Sequence, residues 1–138
     1  MRYLLDTNIC VHLIRHKPAG LLQKLTSLPL GEAGVSSITV AELQYGVRKS
    51  SRPEQNAQAL AMFLLPLPVA DFDYKAAETY GNIRAHLESN GAPIGPLDTL
   101  IAAHAASLGA ILVTSNLGEF RRVPSLSVED WTGNGSEK

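Results

Sequence analysis

Three carboxylates stand where the surrounding residues are apolar: Asp6, Glu42 and Asp98. Asp6 closes the run Tyr3-Leu4-Leu5, Glu42 lies among Val40, Ala41 and Leu43, and Asp98 runs straight into Thr99-Leu100-Ile101. Ionised acids are rarely buried without a partner. Brought together, three of them repel strongly unless a cation or shared protons neutralise them. Oxygen donors of this kind suit Mg2+ or Mn2+. Each acid also has a plainer use. Asp6 can cap a helix starting near Thr7-Asn8. Glu42 can be the reciprocal partner of Thr39 in a capping box. Asp98 can be an N-terminal helix acid favoured by the macrodipole. Taken singly, Glu42 and Asp98 are better explained by these uses, whereas at Asp6 the two readings stand closer. Spacing alone does not show that the three converge.

The elements that must position these acids alternate along the chain. Residues 2–5 form a short extended run, and residues 9–15 and 20–28 carry apolar positions at helical spacing. Val35 to Ile38 reads as a strand, with Thr39 opening a helix to about Val47. Pro53 suits a first helical position, ahead of the stripe Ala57, Leu60, Ala61 and Leu64, and Pro66 ends that helix. Leu67 to Ala70 is a second short strand candidate. Ala76, Tyr80, Ile83 and Leu87 mark a helix ending near Asn90-Gly91, and residues 91–96 form a loop. Asp98 opens the next helix, closed by Gly109. Ala110 to Thr114 is the best buried-strand candidate, and Leu126 to Val128 a last one. Strands separated by helices imply parallel pairing, hence an α/β/α sandwich with a mainly parallel central sheet. In such sheets ligands gather at the carboxyl ends of the strands. Asp6, and the later Ser115, Asn116 and Glu119, follow strands in that way.

Composition narrows the class. The 138 residues are 45% hydrophobic and 18% charged, a folding composition for one domain rather than two. We expect a domain over residues 1–132 and a flexible tail over 133–138. Cys10 is the one cysteine, so no internal disulfide forms, and a lone thiol suits a reducing compartment. No stretch approaches the roughly 20 apolar residues of a membrane helix, and the N-terminus reaches Asp6 too soon for a secretory leader. The expectation is a soluble, cytoplasmic protein with no membrane partner. The four histidines, His12, His16, His86 and His104, are read as core or surface residues without a zinc-type pair on one helix face.

Four segments carry a family resemblance. Leu4-Leu5-Asp6-Thr7-Asn8, Ser37-Ile38-Thr39-Val40-Ala41-Glu42-Leu43, Pro93-Ile94-Gly95-Pro96-Leu97-Asp98-Thr99-Leu100-Ile101-Ala102, and Val113-Thr114-Ser115-Asn116 with Glu119-Phe120 resemble, in order, the motifs of PIN-domain nucleases. The resemblance runs from about residue 3 to Trp131. Within the family the chain looks most like the VapC toxins of type II toxin–antitoxin pairs, and among them the subgroup that cleaves initiator tRNA. It implies a single PIN domain and a toxin that inhibits translation by hydrolysing RNA phosphodiester bonds. It implies Mg2+, with Mn2+ as substitute, held by Asp6, Asp98 and Glu42, the last as ligand or water-holder. It also implies a VapB-type antitoxin partner, a homodimer and a higher-order toxin–antitoxin assembly. The fourth family position is often Asp; here Asn116, a neutral and weaker cation donor, takes it, and Glu119 either compensates or is a surface acid. Thr7 and Thr114 match hydroxyl positions near the acids.

A polyanionic substrate needs positive charge around an acidic pocket. Net charge is −1, and setting the three acids aside leaves +2 for the remainder. Arg15, His16 and Lys17, then Arg48, Lys49 and Arg52, then Arg121 and Arg122 form clusters suited to phosphates, or to solvated helix ends. Arg84 is a further candidate for contact with RNA or antitoxin. Two other readings compete. A phosphoryl-acceptor module using Asp6 would want a second Asp where Asn8 stands. A catalytically silent scaffold that binds RNA or protein would explain Asn116 but not the three retained acids.

Overall fold

The fold is that of a computed structural model, which describes residues 1–132; the expected tail, 133–138, lies outside the described residues. Strand β1 (Tyr3–Leu5) is followed by helices α1 (Thr7–Arg15) and α2 (Ala19–Thr26). Strand β2 (Ala33–Ser36) leads into α3 (Ser37–Arg48) and α4 (Pro53–Leu64), and β3 (Val69–Ala70) into α5 (Tyr74–Ser89) and α6 (Pro96–Leu108). The chain then adds β4 (Ile111–Val113), the short α7 (Leu117–Phe120) and β5 (Val128–Glu129).

All the described strand pairs are parallel, in the order β3-β2-β1-β4-β5. Side-chain alternation along the central strand builds two cores. Tyr3 and Leu5 face α1 to α4, sharing a cluster with Ile9, Leu13, Leu43, Val47 and Leu60. Leu4 faces the other way, against Ile83, Leu87, Ile101 and Phe120. Leu112 joins the Leu4 side and Val113 the Leu5 side. The sheet is thus sandwiched between helices, as expected. The chain steps from β1 outward to β3 with its helices on one face. It then returns across the sheet to β4 with its helices on the other, the change of face that right-handed crossovers require when direction reverses. The reversal leaves a crevice between the carboxyl ends of β1 and β4.

Several boundaries differ from expectation for identifiable reasons. The strand expected at Val35–Ile38 ends at Ser36, because the Ser36 hydroxyl accepts the Ile38 amide (3.0 Å) and caps α3. The Thr39–Glu42 capping box therefore does not form: Thr39 is inside the first turn, fully buried. Helix α6 starts at Pro96, whose missing N–H costs nothing at a first helical position, so Asp98 sits in the first turn rather than opening the helix. Helix α7 was not expected, and β5 lies at Val128–Glu129 rather than 126–128. Gly109 ends α6 with φ 65°, the left-handed cap that glycine adopts without strain. At Gly34 a Cβ would stand 2.6 Å from the Pro68 carbonyl oxygen, so only glycine lets β3 approach β2 there.

Candidate active site

Asp6 is the residue that follows β1 at the crevice, and it is buried. It is also the N-cap of α1, its Oδ1 accepting the Ile9 amide at 2.8 Å. The two uses weighed for Asp6 are therefore compatible: the cap holds the carboxylate at the strand end. The Thr114 hydroxyl and the Asn8 amide also bond to it and lower its pKa, but burial outweighs them and pushes it up from the ordinary carboxylate value, with Glu42 adding to the rise. Thr114, fully buried after β4, accepts the Asn116 amide at 3.0 Å, so one hydroxyl ties the ends of β1 and β4 together.

Glu42 reaches the same place from the second turn of α3. Thr7 Oγ1 lies 2.7 Å from Glu42 Oε1 and 3.1 Å from Thr39 Oγ1. A hydroxyl has one proton and a carboxylate only accepts, so Thr7 donates to Glu42 and Thr39 donates to Thr7. This relay, not a capping box, fixes Glu42.

Asp98, from the first turn of α6, completes the group. Its pKa is raised to about 7, first by burial, then by a hydrogen bond and charge repulsion from Glu119, then by Asp6 and Glu42. The contact with Glu119 favours the protonated form of Asp98. Glu119 comes from α7, the helix that was not expected, and Asn116 Nδ2 reaches its Oε1 at 3.4 Å. Asn116 is exposed, the N-cap residue of α7. The fold thus gathers Asp6, Glu42 and Asp98 within mutual electrostatic reach, with Glu119 against Asp98 and Asn116 linked to Glu119.

Among the described residues no three His, Cys, Asp or Glu side chains stand close enough together to hold a metal ion as they are. Like charges held this near keep apart. The donor set nonetheless fits a hard divalent cation: every donor is oxygen, and the crowding of acids that raises the pKa of Asp98 is what a cation would relieve.

The remaining candidates are placed as follows. Arg84 is occupied within α5, by Glu88 (2.9 Å) and the Tyr80 hydroxyl (3.0 Å). Arg122 donates to the Pro93 carbonyl (3.0 Å), bracing the loop before α6, while Arg15, Lys17, Arg48, Lys49, Arg52 and Arg121 are exposed. Cys10 is core, and burial holds its thiol protonated. Trp131 packs edge-on against Tyr3 at 5.1 Å. The histidine expectation needs one correction: His12 and His16 do share a face of α1, one turn apart, with ring centroids 5.3 Å apart.

Two signals for Glu119 and Thr39 were present but short. A four-residue helix is too brief for periodicity to reveal, and Thr39 matched a capping pattern that Ser36 pre-empted.

Comparison with known proteins places this geometry. The PIN domain family model matches residues 3–126. The tRNA(fMet)-specific endonuclease VapC of Shigella flexneri is 44% identical over 132 residues, covering 96% of this chain and 99% of that protein. The DNA-bound VapBC structure of Salmonella typhimurium superposes with a TM-score of 0.91 at 43% identity, covering 95% of this chain and 98% of that one. The VapBC2 structure of Rickettsia felis, bound to a fragment of its promoter, gives 0.89 at 45% identity, covering 95% and 99%.

Proposed function

Because this chain belongs to the PIN-domain family and, within it, to the VapC ribonucleases, we propose that it is an endoribonuclease toxin that cuts initiator tRNA and is restrained by a VapB-type antitoxin. The observation that carries the site assignment is the convergence of carboxyl groups from the end of β1, α3, α6 and α7 on one crevice.

PIN-domain nucleases are generally dependent on divalent metals, and Mg2+, with Mn2+ as substitute, fits this donor set. Asp6, Asp98 and Glu42 would hold it. When bound, such an ion activates water for attack on phosphorus and polarises a phosphoryl oxygen. The chain's own groups then have distinct tasks. Thr114 and the α1 amides hold the Asp6 carboxylate still. Thr7 aims Glu42. Glu119, hydrogen-bonded to Asp98, is the carboxyl placed to take the proton of the attacking water. Asn116 donates to Glu119 and fixes its rotamer. Phosphate contacts would come from exposed basic side chains among Arg15, Lys17, Arg48, Lys49, Arg52 and Arg121.

An antitoxin needs a surface of its own. An apolar cavity of about 680 Å3 opens between α1, α2 and α4, lined by Leu13, Leu22, Leu25, Met62, Phe63 and Leu67 among others. A partner helix with an apolar face fits it. Among the described residues no helix is long and apolar enough to cross a membrane; action on tRNA would take place in the cytoplasm. We take the domain to span residues 1–132 and the toxin to act as a homodimer within a larger toxin–antitoxin assembly.

The test is cleavage of initiator tRNA and of a pool of other RNAs by antitoxin-free protein with Mg2+ or Mn2+. Discrete cutting of initiator tRNA, lost on chelation and in Asp6→Ala, is expected. Folded protein that cuts no RNA would overturn the reading and leave a silent scaffold; cutting confined to another RNA would overturn the substrate alone.

A further inference from the structure

His104 is a buried histidine that the nuclease chemistry does not use. It sits in the middle of α6, 1% exposed, with its ring edge-on to Phe72 at 5.3 Å. Its Nδ1 lies 2.8 Å from Ser36 Oγ, across 68 residues of sequence. Its Nε2 makes no hydrogen bond of ordinary geometry, although the Asp71 backbone carbonyl lies near enough to the ring to act on its proton. A buried polar atom left unpaired is costly. A Phe or Leu would fill this space without that cost, so the bond to Ser36 is the feature that packing alone does not explain.

Ser36 is itself fully buried, and its hydroxyl accepts the Ile38 amide as the N-cap of α3. Burial holds the ring below the usual histidine value and hence neutral, while Asp73 and the Asp71 carbonyl favour a proton on it. In a neutral ring with Nε2 protonated, Nδ1 accepts, so Ser36 donates to His104 while accepting from Ile38. The neighbouring Ser37 hydroxyl accepts the Phe72 amide at 3.1 Å, which draws the end of β3 into the same knot. The knot therefore joins α6, which carries Asp98, to the first turn of α3, which carries Thr39 and, one turn on, Glu42.

We propose that Ser36 and His104 are positioning residues, which clamp α3 to α6 and thereby set Glu42 and Asp98 at the spacing that binds a divalent cation. The inference rests on the site assigned above. Hydrogen-bonding partners that orient metal ligands from outside typically change affinity about tenfold or more when removed.

The test uses the full-length chain in four variants: Ser36→Ala, His104→Phe, His104→Asn and His104→Gln. The probe is Mn2+ alone, with free ion followed by electron paramagnetic resonance, and the thermal midpoint of each variant is recorded alongside. Asparagine can place its carbonyl where Nδ1 stood; glutamine places its amide at the Nε2 end. The expected result is about tenfold weaker Mn2+ binding in Ser36→Ala, His104→Phe and His104→Gln, with His104→Asn close to wild type. A merely structural role would make Asn and Gln alike and let affinity follow the thermal midpoint, and that pattern overturns the proposal. Should His104→Phe fail to fold, the Asn and Gln pair decides. Wild-type protein that binds Mn2+ with this variant pattern but cuts no RNA would refute the nuclease reading and leave the clamp standing.

Discussion

Thr7 Oγ1 stands 2.7 Å from Glu42 Oε1, joining residues 35 apart in sequence at the start of α1 and the second turn of α3. The bond converts a half-buried, rotatable carboxylate into one with a fixed direction, and Thr39 holds the Thr7 hydroxyl in turn. Thr7→Val keeps the shape and deletes the donor. A hydrogen bond to a charged group contributes about 1.5–3 kcal/mol, so cleavage should fall roughly tenfold to a hundredfold. Thr7→Ser, which retains the hydroxyl, should recover most of it. Equal single-turnover rates for wild type and Thr7→Val would show that Glu42 needs no such support.

The Asp98 carboxyl gives stability a definite pH dependence. Its pKa is raised from 3.8 to about 7 in the folded chain, and that of Asp6 is raised too. Between pH 4 and 7 the folded state therefore binds more protons than the unfolded one. The stabilisation is complete below the unfolded value and is lost as pH rises through about 7. Chelator-treated protein should melt at progressively lower temperature from pH 4 to pH 8, and Asp98→Asn should flatten that slope. A melting profile unchanged by Asp98→Asn would count against the raised pKa of Asp98.

Added Mg2+ or Mn2+ should reverse this trend, because ligands must be deprotonated to bind and binding to the folded state alone stabilises it. The gain should be large at pH 8 and small at pH 5. At a hundred times the dissociation constant it amounts to about 2.7 kcal/mol. Differential scanning fluorimetry across pH with and without metal measures it; an equal gain at both pH values would mean binding elsewhere.

Asn116→Asp restores the acid common at this family position, at the cost of the donor that now reaches Glu119. A further negative donor should tighten Mn2+ binding by roughly an order of magnitude, while lowering the thermal midpoint of chelator-treated protein through added repulsion. Isothermal titration and melting should therefore move in opposite directions, and movement of both in the same direction would show that Asn116 lies outside the cation's reach.

Phe120, 1% exposed, anchors α7 and so holds Glu119 at the crevice. Phe120→Ala should cost about 3–5 kcal/mol by leaving a cavity. It should also lower cleavage at temperatures where the variant remains folded, since Glu119 loses the anchor that positions it. Full activity in that folded variant would argue that Glu119 has no part in the reaction.

Local pattern alone carried a large part of this protein. The run Tyr3-Leu4-Leu5 ending at Asp6, the strand before Thr114 and the prolines at 53 and 66 determine an alternating α/β chain, because period, β-branching and proline geometry act over a few residues. The acids at 6, 42 and 98 stood out because charge beside apolar residues is costly wherever it falls. What those cues left open was company. Ser36 rather than Thr39 caps α3, and His104, which arrives from 68 residues away, meets the Ser36 hydroxyl there. Whether Glu119 was a surface acid or part of the cluster depended on a four-residue helix anchored by a buried phenylalanine. The convergence of four carboxyl groups followed from the reversal of strand order between β1 and β4. Strand order is set by long-range burial on two faces of a sheet, a property of the packed whole that no window of residues contains.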